Sequence, residues 1–187
     1  MDKREEKTIK AIHMAFEKLI NEKEYEDITI QDILNESGIS RSTFYSHYKA
    51  KQELLLSISN HIFEHVFSKT LAEEDTHDFS KDTFFDYQHL VIHIFYHIRD
   101  EKNLFKGILS SSGKTLFFNE FKNHLYKFIN SYYKNYVYSS DKELPFGLKK
   151  AIAVDSFITM IEYWINTDFK ETPEQIGEYY IDIFKKV

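Results

Sequence analysis

The sequence predicts an all-α chain of nine helices. Three observations carry that expectation. Apolar residues recur at spacings of three and four along most of the chain. No stretch alternates apolar and polar residues as a half-buried strand does. The candidate breaks fall where serine, threonine, glycine or proline can start or stop a helix.

The elements follow in order. Ile9, Ile12, Phe16, Leu19 and Ile20 form one apolar face, predicting a first helix from about Arg4 to Asn21. Residues 21–27 are polar and read as a loop. Thr29 is a natural N-cap for a short second helix, with Asp32 as the capping-box acid. Gly38 ends that helix, because glycine accepts the left-handed backbone at a helix C-terminus. Ser40 caps a third helix from Arg41 to about Tyr48, and a long fourth runs from Ala50 to about Leu71. The polar stretch 73–81 reads as a loop. Five further helices are expected, at roughly 82–100, 102–112, 114–138, 145–168 and 172–186. Ser112-Gly113 separates two of them. Pro145 and Pro173 stand near the starts of the last two, where proline is tolerated, and Thr172 caps the ninth.

Composition narrows the function. The chain has 187 residues, 42% of them hydrophobic, enough for a real core. There is no cysteine, which excludes a disulfide framework, a thiolate metal site and a cysteine nucleophile. There is no glycine-rich phosphate loop and no nucleophile-elbow serine. An enzyme is therefore not expected, and neither is a cofactor. The start MDKREEKTIKAIHMAF lacks an apolar export segment, and no uncharged stretch reaches the roughly 18 residues of a membrane span. A soluble, cytoplasmic chain without membrane contact is expected.

The net charge of −6 is unhelpful for binding a polyanion, so any nucleic-acid surface must be local. One such surface exists. Between Ser40 and Lys51 there is no acid, whereas Arg41, Lys49 and Lys51 are basic. The same run lies inside TIQDILNESGISRSTFYSHYKAKQEL, residues 29–54. Two short helices joined by a glycine-containing turn form a helix-turn-helix pattern. Ile33, Leu34, Ile39 and Phe44 would fill the angle between them. The outer face, with Arg41, Ser42, Thr43, Tyr45, Ser46 and His47, would enter a major groove about 12 Å wide. Lys51, at the start of the next helix, joins its ammonium to free backbone N–H groups, an arrangement suited to a phosphate.

This segment resembles the TetR family of transcriptional regulators. The likeness rests on a first helix, then Thr29-x-x-x-Ile33, Gly38-Ile39-Ser40, and Thr43-Phe44-Tyr45-x-His47-Tyr48-x-x-Lys51-x-x-Leu54, over about residues 8–56. The resemblance implies a nine-helix fold with a DNA-binding domain at 1–50 and an effector-binding and dimerisation domain at 51–187. It implies that a homodimer binds a roughly palindromic double-stranded operator, most often as a repressor. Thr29, Thr43, Tyr48 and Lys51 are implied as phosphate contacts, and Ser42, Tyr45 and His47 as groove readers. Arg41 is implied on either base or backbone, and Ser40, the helix cap, joins the set.

The second half is aromatic. Phe84, Phe85, Tyr87, Phe95 and Tyr96 fall on the fifth helix, and Phe117, Phe118, Phe121, Tyr126, Phe128, Tyr132 and Tyr133 on the seventh. Each could be core or the lining of a pocket for a small hydrophobic or aromatic effector. The pocket candidates are His93, Tyr96, His97, Phe121, Tyr126, Asp155 and Met160. Asp155 interrupts an apolar run and could hold an effector, pair across a dimer or sit at an exposed edge. The eighth helix is apolar nearly all round and needs cover on more than one side. The resemblance places a four-helix dimer interface on 148–166 and 176–184, with Leu148, Ile152, Ile161, Trp164, Ile165, Tyr179 and Ile183 as its candidates. More loosely, 97–133 and Tyr163-Trp164-Ile165 are similar to the C-terminal type of dihydroxyacetone-kinase-regulator-like members.

His89, His93 and His97 share one helix face. Imidazoles at i and i+4 can bind a transition metal, but positions i and i+8 lie about 12 Å apart by helix rise, so the outer two cannot share an ion. A polar stripe is the simpler reading, and no metal is expected. The alternative to a small effector is an adaptor of the same fold, regulated by a protein partner or a metal ion.

Overall fold

The computed structural model describes residues 3–68, 87–132 and 144–184. These residues form nine α-helices and one short 3-10 helix, with no strand among them. The helices are α1 (Lys3–Glu22), α2 (Ile30–Ser37), α3 (Arg41–His47), α4 (Lys51–Ser68), α5 (Tyr87–Asp100), α6 (Lys102–Ser110), α7 (Lys114–Tyr132), α8 (Phe146–Asn166) and α9 (Pro173–Phe184). The all-α expectation and the order of elements hold. The expected loop at 73–81, the first residues of the fifth helix and the end of the seventh lie outside the described residues.

Contacts divide the chain into two units, one of residues 1–59 and 103–118, the other of 60–102 and 119–187. The first unit takes in the three-helix head, the start of α4, all but one residue of α6 and the start of α7, a division different from the expected one after residue 50.

The first unit is built around Ile12, Phe16, Leu19 and Ile20 from α1, Ile33 and Leu34 from α2, Phe44 from α3 and Leu54 and Leu55 from α4, all buried. The apolar spacing read from α1 is the face it buries. At the α1–α2 connection the structure departs from a plain loop. Tyr25–Asp27 make a 3-10 turn, with the Asp27 N–H donating to Glu24 O at 3.0 Å and Ile28 N–H to Tyr25 O at 3.3 Å. Asn21 Nδ2 donates to the Asn103 carbonyl at 3.0 Å, bonding α1 to α6.

The second unit packs aromatic rings. Phe95 stacks on Phe157 with centroids 4.7 Å apart and meets Trp164 edge-on at 5.6 Å. Phe157 meets Tyr180 at 4.9 Å, and Phe63 meets Phe121 at 4.8 Å. Such pairs favour offset or edge contacts because the ring face is negative and its edge positive. Helices α5 and α9 come together closely at Gly177, where a Cβ would stand 2.7 Å from Ile92 Cγ1. Only the missing side chain permits that approach.

Candidate nucleic-acid interface

The corner between α2 and α3 is held by three local devices. Thr29 caps α2: its Oγ1 accepts from Asp32 N–H at 3.1 Å, and its own N–H donates to Asp32 Oδ2 at 2.9 Å. This is the reciprocal capping box, with Asp in place of the longer Glu. The bonds from Thr29, and then Lys23 3.1 Å away, hold the Asp32 carboxyl down at about 2. Gly38 follows with φ 68° and ψ 14°, and its N–H returns to Leu34 O at 3.0 Å. Nothing lies within 4 Å of where its Cβ would be, so the requirement for glycine here is conformational. Ser40 then caps α3, its Oγ accepting from Thr43 N–H at 3.1 Å.

These devices present α3 with Phe44 buried beneath it and Arg41, Ser42, Tyr45 and Ser46 exposed. Thr43 and His47 are half-buried at its edges. Arg41 donates to Gln31 Oε1 at 2.6 Å, so its guanidinium leans toward α2. Tyr45 is 45% exposed, and its ring stands edge-on to Phe44 at 5.7 Å. The Ser40 hydroxyl lies 2.9 Å from that of Ser42 and 2.8 Å from that of Thr43, a polar cluster at the start of the helix. Exposed Thr29 occupies the corresponding place on α2.

Two of the implied phosphate contacts, Tyr48 and Lys51, have partners within the protein. Tyr48 is buried, with its hydroxyl 3.2 Å from His13 Nε2. The Lys51 ammonium donates to the carbonyls of Tyr25, of Glu26 at 3.2 Å and of Ile28 at 2.6 Å, and lies 4.3 Å from the Tyr25 ring centroid. Its three N–H donors thus meet three carbonyls at the 3-10 turn, of which that of Tyr25 also accepts from Ile28 N–H. Burial is the largest influence on it and pulls its pKa below the ordinary lysine value. The sequence marked Lys51 as a cation near a helix start. The three-carbonyl socket depends on a turn that residues 23–28 did not advertise.

The pocket candidates fall in different surroundings. His93 and Phe121 are buried, and Tyr96, His97, Tyr126 and Met160 are half-buried. The Tyr96 hydroxyl donates to Glu174, and Lys150 Nζ lies 5.2 Å from the Tyr126 ring centroid. Asp155 is a correction: its side chain is exposed and pairs with Lys122 at 2.8 Å, the exposed-edge alternative for this residue. His93 and His97 place their Nε2 atoms 3.0 Å apart, at hydrogen-bonding distance. Among the described residues no three histidines or carboxylates gather as metal ligands, and His89 is half-buried on the same helix.

The dimer candidates divide in two. Ile161, Trp164 and Ile165 are buried within the chain's own core, because α8 turns that face toward α5 and α9 aromatics. Trp164 also donates its indole N–H to Glu171 O at 2.9 Å. Leu148, Tyr179 and Ile183 are close to half exposed, and Ile152 is intermediate. Sequence reasoning missed Phe146 and Tyr163, which are equally exposed. The spacing Leu148, Ile152, Thr159, Tyr163 on α8 was the available signal, since steps of four and seven keep one face.

A capped short helix on a glycine corner, polar outward and apolar beneath, defines a helix-turn-helix DNA-binding protein. Comparison with known proteins agrees. Residues 15–58 match the family model described as bacterial regulatory proteins, tetR family, and residues 85–186 match a transcriptional regulator C-terminal region of the same family. The chain belongs to the TetR family of transcriptional regulators. It is similar, at 46% identity over 56 residues, to an uncharacterised helix-turn-helix regulator, YxbF, of Bacillus subtilis strain 168. That match covers 29% of this chain and 15% of the relative. A TetR transcriptional regulator from Streptococcus agalactiae 2603V aligns over 99% of this chain and 97% of its own, with 25% identity and a TM-score of 0.69. The dihydroxyacetone kinase operon activator DhaS aligns over 95% and 93%, with 18% identity and a TM-score of 0.55. This second likeness concerns the fold alone. Among the described residues no helix is long and apolar enough to cross a membrane.

Proposed function

We propose that the chain is a cytoplasmic, homodimeric repressor that reads a palindromic operator with α3 and releases it when a small hydrophobic or aromatic effector binds its C-terminal half. The observation that carries the reading is the outer face of α3, where Arg41, Ser42, Tyr45 and Ser46 are exposed on a helix anchored by Phe44. Side chains of this kind donate to and accept from base edges, and the polar cluster at Ser40, Ser42 and Thr43 suits the adjoining phosphates. The exposed apolar row on α8 and α9, Leu148, Tyr163, Tyr179 and Ile183, supports pairing of two copies. Two-fold pairing then calls for a two-fold site on the duplex. An effector that favours the non-binding state shifts the population in proportion to its preference for that state.

The test is selection of a duplex from a random-sequence pool by the purified chain, followed by titration of Tyr45→Ala/His47→Ala. The selected sequence is expected to be an inverted repeat. The double variant should sediment as a dimer yet bind the selected duplex at least ~30-fold more weakly, since each base-reading group is worth about 1–3 kcal/mol. Binding within roughly threefold of wild type would remove α3 as the reading element.

A further inference from the structure

Behind the reading helix lies a polar group that DNA reading does not obviously need. His13 of α1 places Nε2 3.2 Å from the Tyr48 hydroxyl and 3.3 Å from Ser57 Oγ. The His13 ring also lies nearly parallel to the Tyr48 ring, with 29° between planes. Tyr48 is only 7% exposed and is the C-cap of α3, directly after Tyr45 and His47. Ser57 stands on α4. Three helices therefore meet at three polar atoms.

The hydrogens can be assigned by counting donors. Ser57 Oγ donates to Leu54 O at 2.7 Å, so its one hydrogen is spent. The Tyr48 phenol keeps its proton, because burial pushes its pKa up. Ser57 Oγ can therefore only accept from His13 Nε2, 3.3 Å away, so that nitrogen carries the hydrogen. The same Nε2 lies 3.2 Å from the Tyr48 hydroxyl oxygen, within reach of one shared hydrogen. Only an Nε2–H, donating toward both, fits this arrangement.

We propose that His13, as its Nε2–H form, is a positioning residue for DNA reading: its bonds to Tyr48 and Ser57 fix the C-terminal end of α3 against α1 and α4. The proposal rests on α3 being the reading helix. Its physical need is clear from length. A helix of seven residues does not hold itself, because isolated helices shorter than about 12–15 residues are marginal in water. The N-terminal end of α3 has Ser40 as its cap. The C-terminal end has no left-handed glycine, since Tyr48 is extended with φ −135° and ψ 123°. The His13–Tyr48–Ser57 bonds take the place of such a stop. An apolar residue at position 13 would fill space there without fixing where the helix ends.

The test compares two duplexes, the one selected by the wild-type chain and a scrambled one at low salt. His13→Ala is expected to bind the selected duplex ~10-fold more weakly and the scrambled duplex unchanged, because phosphate attraction survives a loosened helix. His13→Gln, whose amide nitrogen can occupy the place of Nε2, should stay within about twofold. His13→Ala/Tyr48→Phe should be no weaker than Tyr48→Phe alone, since both changes break one network. Nitrogen-15 shifts of the His13 ring in the wild-type chain should report hydrogen on Nε2. Equal binding of the selected duplex by His13→Ala and wild type overturns the proposal. So does an equal loss on both duplexes, a His13→Gln variant as weak as His13→Ala, or hydrogen on Nδ1 alone. If His13→Ala does not fold, His13→Gln and the ring shifts decide. A wild-type chain that selects no duplex removes the DNA-reading function itself, and is distinguished because it fails before any variant is compared.

Discussion

The α2–α3 head and the α8–α9 pair each present a surface to solvent, and the two surfaces are opposites. On α3 the exposed groups are Arg41, Ser42, Tyr45 and Ser46, over one buried ring, Phe44. On α8 and α9 the exposed groups include Leu148, Tyr163, Tyr179 and Ile183, over a core of Phe157, Trp164 and Tyr180. The head is held by polar devices: a capping box, a serine cap, a lysine seated on three carbonyls and a histidine on two hydroxyls. The α8–α9 pair is held mainly by ring against ring. Directional bonds fix where a side chain points, which reading a base requires. Ring packing is less directional but buries more area, which suits a scaffold that pairs with its own copy.

The largest expected effect tests the ring-packed side of that contrast. Trp164 is fully buried between Phe95 and Phe169, with centroids 5.6 and 4.9 Å away. Trp164→Ala should cost about 3–5 kcal/mol in urea unfolding, from lost transfer energy and the cavity left behind. Tyr45→Ala, on the exposed face of the head, should change stability by no more than about 0.5 kcal/mol. Comparable losses from both would mean that the head and the scaffold do not differ in the way described.

What could be read in advance follows the same division. The head was legible because its signals are local. Thr29 with Asp32, Gly38 and Ser40 each act within four residues, and each does what its side chain or backbone freedom dictates. The Lys51 socket and the His13 network were not legible, because their partners lie 23 to 44 positions away. In the aromatic half, composition announced a core but could not say which face of α8 it used. For Asp155 the apolar neighbours in sequence left three settings open, and only the Lys122 pairing 33 positions away shows the exposed edge. The turn after α8 was also hidden. Asp168 and Phe169 both adopt positive φ, 57° and 56°, without a glycine to announce it. The Phe169 N–H returns to Trp164 O at 2.8 Å, and its ring packs on that same indole, so tertiary contacts fix a conformation that local preference opposes.

A smaller effect sharpens the polar side. Lys51→Met keeps the length of the stem and removes the ammonium from the carbonyls of Tyr25, Glu26 and Ile28. Loss of hydrogen bonds to a charged group should cost about 1.5–3 kcal/mol in unfolding. The salt dependence of binding to the selected duplex should barely change. If Lys51 instead serves a phosphate, the salt slope should drop by about one and stability should hold. The two measurements on one variant therefore assign the residue to the head's own framework or to the DNA.

The smallest effect concerns the capping box, and its sign follows from the direction of one pKa. Asp32 is held at about 2 in the folded chain, first by its bonds to Thr29 and then by Lys23. An unfolded aspartate titrates near ~3.9. A carboxyl depressed by folding stabilises the fold above its unfolded value, and that contribution fades as pH falls through the folded one. The capping box should therefore be at full strength above pH ~4 and weaken as pH descends toward ~2. Asp32→Asn removes the titration while leaving an amide oxygen that accepts from Thr29 N–H. The variant should be less stable than wild type at neutral pH, and the gap should narrow through the same acid window. A gap that stays constant from neutral pH to pH ~2 would mean that the charge of Asp32 contributes nothing to the corner. The serine cap and Gly38 would then hold α2 and α3 without it.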